Sequence, residues 1–277
     1  MKKKIAVGII VFLVILFLFS QFLAKSAPKI AMVEIKGVIS EYMSVIDNIQ
    51  RAQNDPSIKA VVLVVDSPGG SVGAAQEIYS AVEKLRKHKP VVVSMGNVAA
   101  SGGYYVSLPA NVIYANPGTI TGSIGVIIQH VNVSKVLEKL GVKVENIKSG
   151  KNKDILFPNN KLTPEQKKLI METIQDVYDQ FLEDVVKYRP INMETLKKYA
   201  DGRILTGRQA KKIKLVDKLG NIQDAVNEAK ALAGLEGKKV LIIRLRKEEG
   251  FLKKLVGSKV EITDFIPYSQ LFYMMPF

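Results

Sequence analysis

Cysteine is absent from the 277 residues, which removes disulfide frameworks, thiolate nucleophiles and cysteine-based zinc sites from consideration. Histidine is nearly absent. Only His88 and His130 occur, without an H-E-x-x-H pattern, so a histidine-rich metal site is not expected. Internal repeats, low-complexity tracts, base-reading modules and an arginine-rich arm are also missing. The formal charge of +14 therefore suits anionic lipid better than nucleic acid. What is present is material for a core: 47% of residues are hydrophobic against 24% charged, which argues against disorder in a chain long enough for one domain with accessory segments.

Long apolar runs are scarce, and the one at the front stands out. Ile5 to Ala24 holds only Ser20 and Gln21 as polar residues and follows Lys2, Lys3 and Lys4. Twenty helical residues are about enough to cross a bilayer. The lysines predict an N-terminus on the cytoplasmic side and a chain that continues outside it. The run exceeds the roughly 7 to 15 residues of a signal-peptide core, and Lys25 interrupts the small residues Ala24 to Ala27. A retained single-pass anchor is expected over a cleaved signal, with the membrane lipid as a partner.

From Lys29 onward, β-rich runs alternate with amphipathic ones. Strands are predicted over 30–35, 60–65, 91–95, 112–114, 124–128 and 240–246, and helices over 72–87, 164–187, 193–201, 207–212 and 221–232. This alternation predicts an α/β fold with mainly parallel pairing. Thr163 and Pro164 predict the N-cap and first turn of the longest helix, and Pro190 its end. Residues 146–163 read as a loop. A basic amphipathic stretch at 251–256 and an apolar tail at 271–277 have no assigned role beyond docking or membrane contact.

Three glycine- and serine-bearing motifs carry chemistry. In Asp66-Ser67-Pro68-Gly69-Gly70-Ser71, an apolar strand runs into adjacent glycines whose amides could bind an oxyanion, although an ordinary βα turn fits the same residues. Gly69-Gly70-Ser71-Val72-Gly73 also matches G-x-S-x-G, which would make Ser71 the nucleophile of an α/β-hydrolase. That fold requires an acid and then a late histidine. His88 lies in a polar helix end and reads as solvated; His130 closes a predicted strand and reads as locally hydrogen-bonded. Neither suits the order. In Ala99-Ala100-Ser101-Gly102-Gly103-Tyr104-Tyr105, Ser101 opens a helix through Leu108 as either an N-cap or a nucleophile. Thr121-Gly122-Ser123-Ile124-Gly125-Val126 is turn-rich and weak by itself.

Together with Ser149-Gly150-Lys151-Asn152-Lys153-Asp154, Asp201-Gly202-Arg203 and Thr206-Gly207-Arg208-Gln209-Ala210, these motifs resemble the signal peptide peptidase A family, in its short one-domain form, over about residues 29–233. The resemblance implies a Clp protease/crotonase-like superhelix of βαβ units preceded by one transmembrane helix. It divides the chain into an anchor (1–28), a peptidase domain (29–235) and a C-terminal extension (236–277).

It further implies a serine endopeptidase with a Ser/Lys dyad that degrades cleaved signal peptides and other unstructured hydrophobic peptides. Ser101 would be the nucleophile and Lys153 the general base; the residues alone do not choose Lys153 over Lys148 or Lys151. Ser123 would orient the lysine, and Gly70 and Gly102 would supply oxyanion amides. No cofactor or metal is implied. The implied assembly is an octameric ring in which the lysine of one protomer meets the serine of the next. A lysine in water has a pKa of about 10.4, so the base must be desolvated to act near neutral pH. Two other functions remain open: a crotonase-like acyl-thioester enzyme, which would bind coenzyme A and have no use for Lys153 or an anchor, and a non-catalytic membrane scaffold.

Overall fold

The structure is a computed structural model that describes residues 27–246 and the backbone of 272–274. The expected anchor at 5–24 and the amphipathic stretch at 251–256 lie outside the described residues. Among the described residues, no helix is long and apolar enough to cross a membrane.

An eight-stranded sheet organises the chain. β1 (Lys29–Lys36), β2 (Ile58–Ser67) and β4 (Val91–Ala100) form its centre, with β9 (Leu241–Leu245) beside β1. These pairs are parallel. Their near-continuous valine, isoleucine and alanine runs suit strands covered on both faces. Alternation divides those residues between two cores. Ala31, Val33, Val61, Leu63, Val91 and Val93 face the larger one, which also takes Ile49 of α1 (Met43–Asn54), Ile78 and Val82 of α2 (Val72–Arg86), and Phe181 and Val185 of α5 (Pro164–Tyr188). Ile30, Met32, Ala60, Val62 and Val92 face the smaller one under Ala225, Val226 and Ala229 of α8 (Ile222–Leu232).

The far edge of β4 is shared. Residues 92–95 pair with β5 (Val112–Ala115), whereas residues 98–100 pair with β6 (Ile120–Gly122). β6 continues antiparallel into β7 (Ile204–Thr206), and β5 pairs with β8 (Lys218–Leu219). The remaining elements are β3 (Gly69–Ser71), α3 (Gly102–Tyr105), α4 (Ser134–Lys139), α6 (Met193–Lys197), α7 (Gly207–Lys212) and β10 (Phe272–Met274).

Thr163 caps α5 as expected: its side chain accepts from the Gln166 amide, while the Gln166 side chain accepts from the Thr163 amide. Three sequence expectations are corrected. No strand forms at 124–128, because Gly122 and Ser123 take φ values of 74° and 48° and turn the chain away from β4. The strand falls earlier, at 120–122. The helix expected from 193 to 201 stops at Lys197, and the one opened by Ser101 is a single turn, α3.

Candidate active site

Two strand ends build the site. β2 ends in Asp66 and Ser67, and both side chains hold backbone. Asp66 Oδ1 accepts from the Val98 amide at 3.0 Å and fixes the irregular part of β4. Buried Ser67 Oγ accepts from the Gly69 amide at 3.1 Å and folds the Pro-Gly turn. Gly70 then passes Ile39 so closely that an added Cβ would lie 2.1 Å from the Ile39 carbonyl oxygen. Only glycine fits a backbone approach of that kind. The contact is kept by Ile39 N donating to Gly69 O and Ser71 N donating to Ile39 O, each at 2.8 Å.

β4 ends at Ala100 and is followed by Ser101, which has φ 54° and ψ −116°. Non-glycine residues rarely adopt positive φ, and such strain persists only where surrounding contacts impose it. Here Ser101 N donates to Gly122 O at 2.8 Å, and Tyr105 N donates to Ser101 O at 2.8 Å. Gly103 is pressed against β2, where an added Cβ would lie 2.6 Å from Ser67 O. The Ser101 side chain makes no capping bond. Among the described residues, Ser101 Oγ is the buried side-chain oxygen or nitrogen left without a hydrogen-bond partner.

Ser123 sits one residue beyond the carbonyl that holds Ser101. It is buried, has a positive φ, and its amide donates to Arg203 O at 2.8 Å. The Asp201-Gly202-Arg203 motif thus serves as a backing for Ser123. Arg203 clasps Asp201 through Nε at 2.7 Å and Nη2 at 2.6 Å, which pulls the Asp201 carboxyl down to about 2. A cleft of about 420 Å³ opens beside Ser123, with Val126, Ile174, Tyr178 and Ala200 in its lining. The larger cleft of about 950 Å³, between α1 and β9, touches none of these residues.

The chain therefore brings Ser101, Gly102, Ser123 and Gly70 to neighbouring strand ends. Lys153 is elsewhere in character: it is exposed, in the turn-rich segment 150–156. Its neighbour Asp154 is buried, accepts from Lys148 Nζ at 2.5 Å and Asn146 Nδ2 at 3.0 Å, and is held below the usual aspartate range chiefly by the Lys148 hydrogen bond. His88 is exposed, and His130 Nε2 lies 3.1 Å from Phe157 O. Ser71 ends β3 and makes no side-chain cap to α2. Among the described residues, no group of three or more acidic or histidine side chains could hold a metal.

Sequence reasoning missed one arrangement. Asp184 on α5 accepts the phenol of Tyr79 from α2 at 2.5 Å and that of Tyr105 from α3 at 2.6 Å. The two rings stack at 4.8 Å, and burial followed by the Asp184 hydrogen bond raises the Tyr79 phenol well above its ordinary value. The helices that follow Gly70 and Ser101, α2 and the single turn α3, are thereby tied to one carboxylate. The pair Tyr104-Tyr105 was visible in the serine motif, but nothing local pointed to a partner 79 residues away.

The sequence profile of peptidase family S49 matches residues 83–236, and that of Clp protease matches residues 25–112. A Synechocystis protein named "Putative protease slr0021" is 39% identical over 87% of this chain and 87% of its own length. An Enterococcus faecium protein named "Putative signal peptide peptidase SppA" is 35% identical over 85% of this chain and 72% of its own. Protease 4 of Salmonella typhi is 42% identical over 68% of this chain, which spans 30% of that longer protein. With a buried, strained, unpartnered serine at the end of a parallel strand and these relatives, the chain belongs to peptidase family S49 and is a serine peptidase.

Proposed function

We propose that the protein is a membrane-anchored endopeptidase of the signal peptide peptidase A type, with a Clp protease-like fold, in which Ser101 attacks the peptide carbonyl and Lys153 accepts its proton. The observation that carries this reading is Ser101 Oγ: buried, without a partner, on a backbone held at φ 54°. A buried hydroxyl without a hydrogen bond costs stability, and such exceptions in native proteins call for a functional reason. Gly70 and Gly102 supply the amides for the tetrahedral oxyanion, each donor worth on the order of 3 kcal/mol in other proteases. This reading assigns no role to histidine: His88 is exposed just beyond the end of α2, and His130 Nε2 lies beside Phe157 O.

A lysine base must lose its water, yet Lys153 is exposed on its own protomer. A second protomer supplies the missing cover. Support comes from the segment that precedes the lysine loop: Val136, Leu140, Val144 and Ile147 expose 57%, 72%, 52% and 98% of their surface. An exposed apolar stretch of that kind suits contact with another copy. The Lys153 loop then reaches the Ser101 and Ser123 of a neighbour in a closed ring, octameric by the resemblance, and Ser123 orients the amine.

Substrates in this reading are signal-peptide remnants and other extended hydrophobic segments, bound by strand addition with side chains seated in the cleft beside Ser123. The apolar run at 5–24 anchors residues 1–28 in the membrane with the peptidase domain, 29–235, outside the cytoplasm. Labelling by a fluorophosphonate probe tests the proposal. Wild type labels, Ser101→Ala does not, and Lys153→Ala labels far more slowly. A wild type that neither labels nor cleaves peptides overturns it.

A further inference from the structure

The strands β9, β1, β2 and β4 lie side by side and parallel, so they all begin at one end of the sheet and finish at the other. Gly70 and Ser101 follow the finishing ends of β2 and β4. β2 spans Ile58–Ser67, so the two ends are about 30 Å apart. The starting end is knit by backbone bonds: Lys29 N donates to Ser57 O at 2.8 Å, Leu241 N to Pro28 O at 3.1 Å and Val61 N to Pro90 O at 2.9 Å. The chain thus enters the sheet between the starts of β2 and β9.

Cations collect at this end. Lys59, Lys87, Lys238 and Lys239 are exposed, each within four residues of the start of β2, β4 or β9. Lys89 is half-buried and donates to Ala52 O at 2.6 Å and Asp55 O at 2.7 Å. Burial lowers its pKa, Asp55 opposes that shift, and the charge of nearby Lys59 adds to it. Asp55 is already engaged, by the Ser57 amide and hydroxyl and by Lys29 at 4.0 Å. Glu236 is the exposed acid near Lys238 and Lys239. Apolar side chains stand beside these lysines: Leu232 at the end of α8 and Leu241 and Ile242 at the start of β9 are 43%, 42% and 44% exposed. Exposed aliphatic groups bordered by lysines suit a phospholipid surface, where the first enter the interface and the second meet anionic headgroups.

The sequence brings lipid to the same place. The apolar run ends at Ala24, and residues 25–28, which separate it from β1, reach about 14 Å at most. We propose that the starting end of the sheet rests on the bilayer, with Lys59, Lys87, Lys238 and Lys239 binding anionic phospholipid headgroups and Leu241 and Ile242 touching the interface. The proposal rests on the anchored reading above and adds the orientation of the domain. Ser101 and Gly70 then open about 30 Å from the lipid, so a peptide must clear the bilayer by about nine extended residues before it is cut.

The test uses the full chain in vesicles. The absence of cysteine allows a single fluorophore to be placed through Glu236→Cys, at the starting end, or through Gly118→Cys, which has open space around it in the turn after β5. The vesicles carry a nitroxide quencher on a fraction of their headgroups and are either phosphatidylcholine alone or phosphatidylcholine with about 30% phosphatidylglycerol. Quenching at position 236 is expected to be at least threefold stronger in the anionic vesicles, and to fall to the neutral level in about 1 M sodium chloride or when Lys87→Glu, Lys238→Glu and Lys239→Glu are combined. Position 118 should stay unquenched, and hydrolysis of a short soluble peptide by the triple variant should be unchanged. Equal quenching at 236 in both vesicles, or stronger quenching at 118 than at 236, overturns the proposal. Flotation with the neutral vesicles reports on the anchor separately: a chain that floats with them but shows no anionic preference keeps the anchor and loses the lysine surface, and a chain that floats with neither vesicle loses both.

Discussion

Tyr105, four residues beyond Ser101, donates its phenol to Asp184 at 2.6 Å. The same carboxylate receives Tyr79 at 2.5 Å, so α5 pins the helices that follow both the serine and the glycine strand. Hydrogen bonds to a charged acceptor contribute about 1.5–3 kcal/mol each. If this shared carboxylate positions Ser101, Asp184→Ala should slow probe labelling of Ser101 about tenfold with little change in KM, whereas Asp184→Asn, which keeps one acceptor oxygen, should recover part of the rate. A loss confined to melting temperature, with labelling intact, would assign Asp184 to stability alone.

Gly70→Ala would put a methyl group into the Ile39 carbonyl. β3 must then move off Ile39, taking the Gly70 amide with it. Turnover should fall by about 10²- to 10³-fold, the effect of losing one oxyanion donor. Gly73→Ala, at a position with open space around it, is the control and should retain activity. Peptide hydrolysis by the two variants checks this.

If the proposed dyad operates, its base must be unprotonated to accept the serine proton, so activity should rise as pH increases and Lys153→Ala should abolish turnover without dissociating the assembly. Lys151→Ala should remain active. If the dyad crosses protomers, a one-to-one mixture of Ser101→Ala and Lys153→Ala subunits should recover about a quarter of the wild-type sites, since a head-to-tail ring pairs each serine with its neighbour's lysine. Failure of remixed subunits to recover activity would put the dyad within one chain.

Asp154 organises the loop that carries Lys153 through Lys148 and Asn146. Its carboxyl is held below the ordinary value of 3.8, so its contribution to loop order is complete above that value and disappears as pH falls through the lowered one. Asp154→Asn should loosen residues 146–160 and reduce turnover several-fold at neutral pH. Hydrogen exchange over that segment, read beside the rate, tests the link.

Arg189 is buried and donates to Asp217 at 2.7 Å, and Asp217 also accepts from the Ile113 amide at 2.8 Å. Asp217→Ala leaves a buried guanidinium without its carboxylate. Because Asp217 is itself partly exposed, the cost is on the order of 2 kcal/mol, below that of a fully enclosed pair. Denaturant unfolding should register this loss while labelling of the folded fraction stays normal.

Much of the fold could be read along the chain because its signals are local. The valine-rich runs at 60–65 and 91–95, Thr163-Pro164 before α5 and Asn221 before α8 each declare an element within a few residues. The misplaced strand at 124–128 shows where local reading fails. Ile124 to Ile128 is apolar enough for a strand, but Ser123 is held by Arg203 O, 80 positions later, and that bond turns the chain away. Ser101 had the same limitation. An N-cap and a nucleophile look alike in sequence, and only the folded backbone shows that Ser101 has a positive φ and makes no cap bond.

Residue order by itself determined the α/β class, the serine and glycine motifs and the absence of thiol chemistry, because strand periodicity, turn residues and composition are properties of neighbours along the chain. Tertiary structure decided what depends on distant partners. It set the strain at Ser101, the glycine-only approach of Gly70 to Ile39, the sharing of Asp184 by two tyrosines, and the seating of residues 272–274 on β3. Each of these joins segments far apart in sequence, and their juxtaposition is fixed by packing of the whole sheet rather than by any local preference.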